Sequence, residues 1–200
     1  MNILIACEFS GIVREAFKAK GHNAWSCDIL PTSAEGQHYQ GDLFSFIDRD
    51  WDMIIAHPPC TYLTVTGNKW NKPEFKGRFP TREQDIADAK DFFMRIAMHP
   101  CPKIAIENPV GIMSTQYQKP TQIIQPYQFG HRHSKRTCLW LKGLPKLVPT
   151  DIVEPEYIIY QGKRYSAHHG ATGAKNHKER MLLRSKTFQG IADAMAEQWG

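Results

Sequence analysis

Asp52-Met53-Ile54-Ile55-Ala56-His57-Pro58-Pro59-Cys60 and its later counterpart Lys103-Ile104-Ala105-Ile106-Glu107-Asn108 decide how this chain folds. Each contains a short unbroken apolar run, the pattern of a strand buried on both faces, and each ends abruptly in prolines or polar residues. If the two runs lie in one parallel sheet, their ends bring a thiol, Cys60, and a carboxylate, Glu107, to the same edge. That pairing is suited to catalysis.

The same alternation extends outward in both directions. Asn2 to Cys7 reads as a first strand, Ile12 to Lys20 as a helix closed by Gly21, and Asn23 to Ser26 as a second strand ending before Asp28. Thr81 to His99 places Ile86, Ala89, Phe93, Ile96 and Ala97 at helical spacing. Thr121 to Gln125 and Thr137 to Leu141 read as further strands. Buried strands alternating with helices predict an α/β fold, a mostly parallel sheet with helices on both faces. Ligands of such sheets bind beyond the carboxyl ends of the strands. Phe9, Gly11, Asp28, Asp42, Cys60 and Glu107 would all fall there.

With 200 residues, 42% of them hydrophobic, the chain can fill one core but not comfortably two, so residues 1–200 read as a single domain. No apolar run is long enough to span a membrane, and the start lacks the basic region and cleavage site of a signal peptide. Five scattered cysteines without a C-x-x-C spacing fit neither a disulfide framework nor a zinc ribbon, and a reducing cytosol is the expected compartment. The charge of +5 permits a nucleic-acid partner without demanding one. Its distribution says more. Cations gather at Lys69 to Arg82, at Arg132 to Lys146 and at Lys163 to Lys186, and the first two groups adjoin the candidate catalytic segments. Each group alone could be a solvated loop; three together point to a polyanion.

Taken in order, these residues resemble those of DNA (cytosine-5) methyltransferases over most of the chain. Phe9-x-Gly11 resembles the family's first turn, over the methionyl part of S-adenosylmethionine, and Asp28 resembles the acid that holds its ribose. Gly41-Asp42-Leu43 resembles the segment near the adenine, Pro59-Cys60 the catalytic Pro-Cys, and Glu107-Asn108 the start of the Glu-Asn-Val motif. Gly190-Ile191-Ala192 sits where the last motif completes the cofactor pocket, and Arg136 matches one arginine of a Gln-x-Arg-x-Arg motif at the target base, with Arg132 nearby. The resemblance implies a Rossmann-like S-adenosylmethionine-dependent methyltransferase fold and methyl transfer to carbon 5 of cytosine in DNA. Cys60, Glu107 and Arg136 would be catalytic. Phe9, Gly11, Asp28, Asp42, Pro59, Gly190 and Ile191 would hold the cofactor, and Pro58, Asn108, Arg132, Trp70 and Lys69 the substrate.

The chemistry suits these residue types. Carbon 5 of cytosine is a poor nucleophile until a thiolate adds to carbon 6, and a thiolate can leave again afterwards. A carboxyl at ring nitrogen 3 or the exocyclic amine stabilises the electron-rich adduct. In a duplex the base would have to be flipped out. Duller roles compete at each position. A cysteine after a strand is commonly a packing residue, although two prolines turn Cys60 outward; Glu107 could cap a turn, and Asp28 and Asp42 could be ordinary strand-end aspartates. Trp70 could stack on a base or pin its loop. Cys7, Cys27, Cys101 and Cys138 are assigned to packing. His131, His133, His168, His169 and His177 show no metal-binding spacing, so no metal is expected.

The sequence departs from the family in two places. The first motif has Ile12-Val13-Arg14 in place of its second glycine, and Cys7 holds the position of its leading aspartate, with Glu8 a partial substitute. Residues 151–184 form only a short basic insertion where the family carries a target-recognition domain. A loosely specific or single-stranded DNA target, or a separate recognition partner, is therefore expected, in a bacterial or phage-infected cytoplasm. Three rivals share the residues: the same chemistry on RNA, a free cytosine nucleotide or another transferred group; an amino-methyltransferase, against which His57 and Cys60 occupy the wrong positions; and a non-catalytic nucleic-acid or nucleotide-binding module. Finally, Ile191, Ala194, Met195 and Trp199 predict a helix within Thr187 to Gly200 that folds back near Phe9 and Gly11.

Overall fold

The computed structural model describes residues 1–166 and 176–200. Its first half holds β1 (Asn2–Ala6), α1 (Ile12–Ala19), β2 (Asn23–Asp28), β3 (His38–Gln40), β4 (Met53–Ala56) and α2 (Arg82–Ala97). Then follow β5 (Lys103–Pro109), α3 (Met113–Gln116), β6 (Gln122–Ile124), β7 (Thr137–Lys142), the hairpin strands β8 (Tyr157–Tyr160) and β9 (Lys163–Ser166), α4 (His177–Ser185) and α5 (Gln189–Trp199).

Seven strands form one sheet in the order β3-β2-β1-β4-β5-β7-β6. The first five in that order are parallel, and β7 runs antiparallel to both β5 and β6. The central strands read as continuous apolar runs because successive residues feed two different cores. Ile3, Ile5, Met53, Ile55 and Ala105 pack with Phe17 of α1 and Met195 and Trp199 of α5. Leu4, Ala6, Ile54, Ala56, Ile104 and Ile106 pack on the other side with Phe46, Phe93, Ile96 and Trp140. The expected α/β sheet covered on both faces is what forms.

Three features differ from the expectation. First, β5 runs on through Glu107 and Asn108 to Pro109, because β7 offers it a ladder as far as the Pro109–Thr137 pair. Second, β3 escaped notice because His38-Tyr39-Gln40 has no apolar run and pairs only at the sheet edge. Third, the basic segment contains the β8–β9 hairpin and α4. Residues 167–175, among them His168, His169, Gly170 and Gly173, lie outside the described residues.

The C-terminal helix lies along α1, with Lys20 paired to Glu197 and the Trp199 indole donating to the Pro145 carbonyl at 3.0 Å. Just before it, the Lys186 ammonium sits 5.9 Å from the Phe9 ring centre. No helix among the described residues is long and apolar enough to cross a membrane.

Candidate functional site

The strand order turns back on itself between β1 and β4, since the chain builds outward from β1 on one side and from β4 on the other. A crevice at the carboxyl ends of such a pair is the general ligand position of open α/β sheets. Register fixes what stands there. Ala6 pairs with Ala56, and Ala56 with Ile106, so the next residues of β4 and β5, His57 and Glu107, fall side by side.

His57 Nδ1 lies 3.4 Å from Glu107 Oε2, a long hydrogen bond between side chains that are 7% and 19% exposed. One residue further, the buried Asn108 amide donates to the Pro58 carbonyl at 2.8 Å. The chain then turns at Pro59 and Cys60, both exposed, and the Cys60 carbonyl accepts from Leu63 and Thr64 N–H at 3.0 and 3.1 Å. Beyond the turn the two segments zip together, Ile112 N–H to Leu63 C=O at 2.8 Å and Val65 N–H to Val110 C=O at 3.2 Å. Gly111 must be glycine here, because any side chain would collide with the Leu63 carbonyl. Cys60 thus sits on a loop stitched to the strand that carries Glu107.

The charges around these groups are coupled. Desolvation raises the Cys60 thiol pKa and the negative charge of Glu107 raises it further, while Lys135 and Arg184 oppose both. Desolvation also pushes the Glu107 carboxyl up, but the His57 hydrogen bond and the Lys135 charge outweigh it and hold it below the ordinary carboxylate value. At neutral pH the resting pair is therefore a thiol beside a carboxylate. Placing a proton on Glu107 would remove one of the influences that keep Cys60 protonated. Lys135, half-buried and reaching the Arg184 carbonyl at 3.4 Å, is the cation of the 132–136 loop that acts on both groups. Arg136 is exposed and its charge bears on Cys138.

The β1 side is built differently. Cys7 follows β1 with φ +59°, and Glu8 turns inward to 4% exposure. Glu8 accepts from Val13 N–H at 2.7 Å, Arg14 N–H at 3.3 Å and the Ser10 hydroxyl at 3.2 Å, closing the start of α1. Burial raises its pKa despite these bonds and the nearby His57. Arg14, with no exposed surface, reaches the Ser26 hydroxyl at 2.9 Å and the carbonyls of Glu35 and Ala34 at 2.8 and 3.0 Å, clamping the 29–37 loop over the turn. Ser33 N–H donates to the Phe9 carbonyl at 2.8 Å, completing that cover. Gly11, at φ +75°, is required by this packing, since a Cβ there would stand 2.8 Å from the Arg14 guanidinium and 3.0 Å from Ala34. The space beside Gly11 is filled by protein, and the turn is not an open glycine cradle.

Asp28 fits a ligand better. It is half-buried at the end of β2, its carboxyl is raised by desolvation, and it accepts from Leu30 N–H at 2.9 Å. A carboxylate has several acceptor sites, so capacity remains for a sugar diol. Asp42 is exposed at the start of the 3-10 turn Leu43–Ser45, and with Asp28 it contributes to a Cys27 thiol that burial pushes up to about 12. Gly190 approaches the Phe129 carbonyl too closely for any side chain and donates to His131 Nε2 at 2.9 Å, and Ile191 is 4% exposed in the core, so both are occupied in packing. Trp70 stacks edge-on against Phe75 and Phe79 with the Lys69 ammonium 4.4 Å from its ring, contacts that pin its own segment. Arg132 pairs with Glu156 at 3.3 Å. Among the described residues no group of three or more His, Cys, Asp or Glu could hold a metal ion.

Sequence reasoning gave His57 no role at this site and placed Lys135 only within a basic cluster. A usable signal was present: His57 is the first residue after its apolar run, as Glu107 is after its own. Comparison with protein-family models and with curated proteins found no match to this chain.

Proposed function

We propose that this protein transfers a methyl group from S-adenosylmethionine to carbon 5 of cytosine in DNA through a covalent adduct at Cys60. The observation that carries the proposal is the exposed Cys60 turn stitched beside the Glu107–His57 pair at the strand-order reversal. Bound S-adenosylmethionine would supply an electrophilic methyl group at its sulfonium; Asp28 is the residue best placed to hold its ribose, with Phe9 and Pro59 at the borders of the crevice.

Cys60, which is exposed, must lose its proton to solvent before it attacks carbon 6, and Lys135 and Arg184 favour the thiolate. Glu107, once it has taken up a proton, hydrogen-bonds ring nitrogen 3 and supplies the proton that nitrogen gains as the ring becomes electron-rich. After methylation the proton of carbon 5 is lost to solvent, the carbon–sulfur bond breaks, and ring nitrogen 3 returns its proton to Glu107. Asn108 keeps the Pro58 turn in place and so fixes where Cys60 stands. Arg132, Lys135, Arg136, Arg164, Arg184 and Lys186 supply cations on the 132–136 loop and the hairpin and helices beside it, which favours a polynucleotide over a free nucleotide. Between β7 and α5 the described residues hold only the β8–β9 hairpin and α4 as regular elements, and single-stranded or loosely specific DNA is the proposed substrate.

The test is mass spectrometry of nucleosides from DNA, RNA and cytosine nucleotides incubated with the protein and S-adenosylmethionine. A gain of one methyl on cytosine that vanishes in Cys60→Ala supports the reading, and no gain in any pool rejects it.

A further inference from the structure

His57 occupies a position that nothing in the proposed reaction yet uses. Its side chain is 7% exposed, Nδ1 faces Glu107 Oε2 at 3.4 Å, and Nε2 is buried without a hydrogen-bond partner among the described residues. Buried polar atoms are nearly always paired, so an orphan nitrogen at the head of a site calls for a functional explanation. Two carboxylates bear on this ring from neighbouring strands: Glu107 directly, and Glu8 of the β1 turn, whose own carboxyl feels the His57 charge. Both Glu8 oxygens are already engaged by the start of α1, so Glu8 is held in place and does not compete for the ring.

The resting state poses a problem that His57 answers. Glu107 is held ionised by its surroundings, yet the proposed chemistry asks it to supply a proton. We infer that His57 is a positioning residue that holds this proton: its Nδ1–H passes the proton to the Glu107 carboxylate, which relays that same proton to ring nitrogen 3 of the substrate and ends with no proton gained or lost. Over that step the Nδ1–H bond breaks, the N3–H bond forms and Glu107 is unchanged in net protonation. The return occurs when Cys60 is expelled and ring nitrogen 3 gives the proton back. No oxidant or further reactant is needed. This inference rests on the cytosine reading for the identity of the proton acceptor, but the pairing of His57 with Glu107 does not.

The test uses the full chain with carbon-13-labelled glutamate, as wild type, His57→Gln and His57→Asn; the amides can keep the hydrogen bond but cannot hold the proton. The charged groups facing the pair are Glu8 from the β1 turn, Cys60, Lys135 before β7 and Arg184 on α4. Titration of the Glu107 carboxyl should move upward in both variants, since desolvation would then be opposed by Lys135 without the His57 charge. On a cytosine substrate, kcat should fall about a hundredfold with KM little changed. An unmoved Glu107 titration overturns the inference, as does a kcat that stays at the wild-type value in both variants. If wild type methylates no pool, the cytosine reading fails, and the carboxyl titration still decides whether the pair exists.

Discussion

The two sides of the strand-order reversal are finished to different degrees. On the β1–β2 side nearly every polar group is consumed by the fold: Glu8 closes α1, Arg14 ties the 29–37 loop, and Ser33 covers Phe9. On the β4–β5 side Cys60 is exposed, His57 Nε2 has no hydrogen-bond partner among the described residues, and the Glu107 charge raises the Cys60 pKa. Saturated groups stabilise a shape, whereas unsatisfied and mutually coupled groups are kept for reaction. On the proposed reading the reaction belongs to the β4–β5 side, and the β1–β2 side serves as scaffold with one ligand-ready acid, Asp28.

Substitutions can break that contrast. Cys60→Ala should lower methyl transfer by at least about 10⁴-fold while leaving the melting temperature nearly unchanged; a large loss of stability would make Cys60 structural. Glu107→Gln should cost about 10²–10³ in turnover, read from initial rates on the same substrate. On the scaffold side Arg14→Met strands several buried carbonyls and should lose about 3 kcal/mol in urea unfolding. Its Cys60 should still react with iodoacetamide at the wild-type rate, and a changed rate would mean the halves are not independent.

Smaller effects sharpen the picture. Glu107→Gln removes a charge that raises the Cys60 pKa, so alkylation near neutral pH should quicken several-fold, whereas Lys135→Ala should slow it. The two acids should also leave opposite marks on stability. Glu107, depressed in the fold, stabilises above its unfolded pKa, and that contribution is lost as pH falls through its folded value. Glu8, raised in the fold, stabilises fully below its unfolded pKa, and its contribution is lost as pH rises through its folded value. Glu8→Gln should therefore flatten the stability curve above the ordinary carboxylate range, as followed by chemical denaturation at several pH values.

Most of the sheet was readable because the central strands are apolar on both faces and the prolines mark where β4 stops. The reversed β7 was not, since Thr137 to Leu141 carries no sign of direction. The thiol and carboxylate are legible as residues that follow apolar runs, Glu107 directly and Cys60 after two prolines, and His57 stands directly after its run as Glu107 does. The role of Arg14 leaves no mark in the sequence, for a physical reason. In the sequence it is only a missing glycine, yet in the fold its guanidinium fills the room such a glycine would leave and holds a loop that has no ladder of its own. Tertiary hydrogen bonds of this kind leave no periodic trace.

The β8–β9 hairpin also bears on how the molecule could change. Its turn, Gln161-Gly162, has both residues in the left-handed region and joins strands whose last ladder pair is Tyr160 with Lys163. Chain entering and leaving at one such point can be lengthened at a cost that grows only with the logarithm of the added length. The hairpin base is meanwhile tied to the 132–136 loop through Ser166 and Glu156. The turn is thus a natural port for grafting: a foreign module spliced there would hang from the hairpin tip while the seven-stranded sheet kept its own connections.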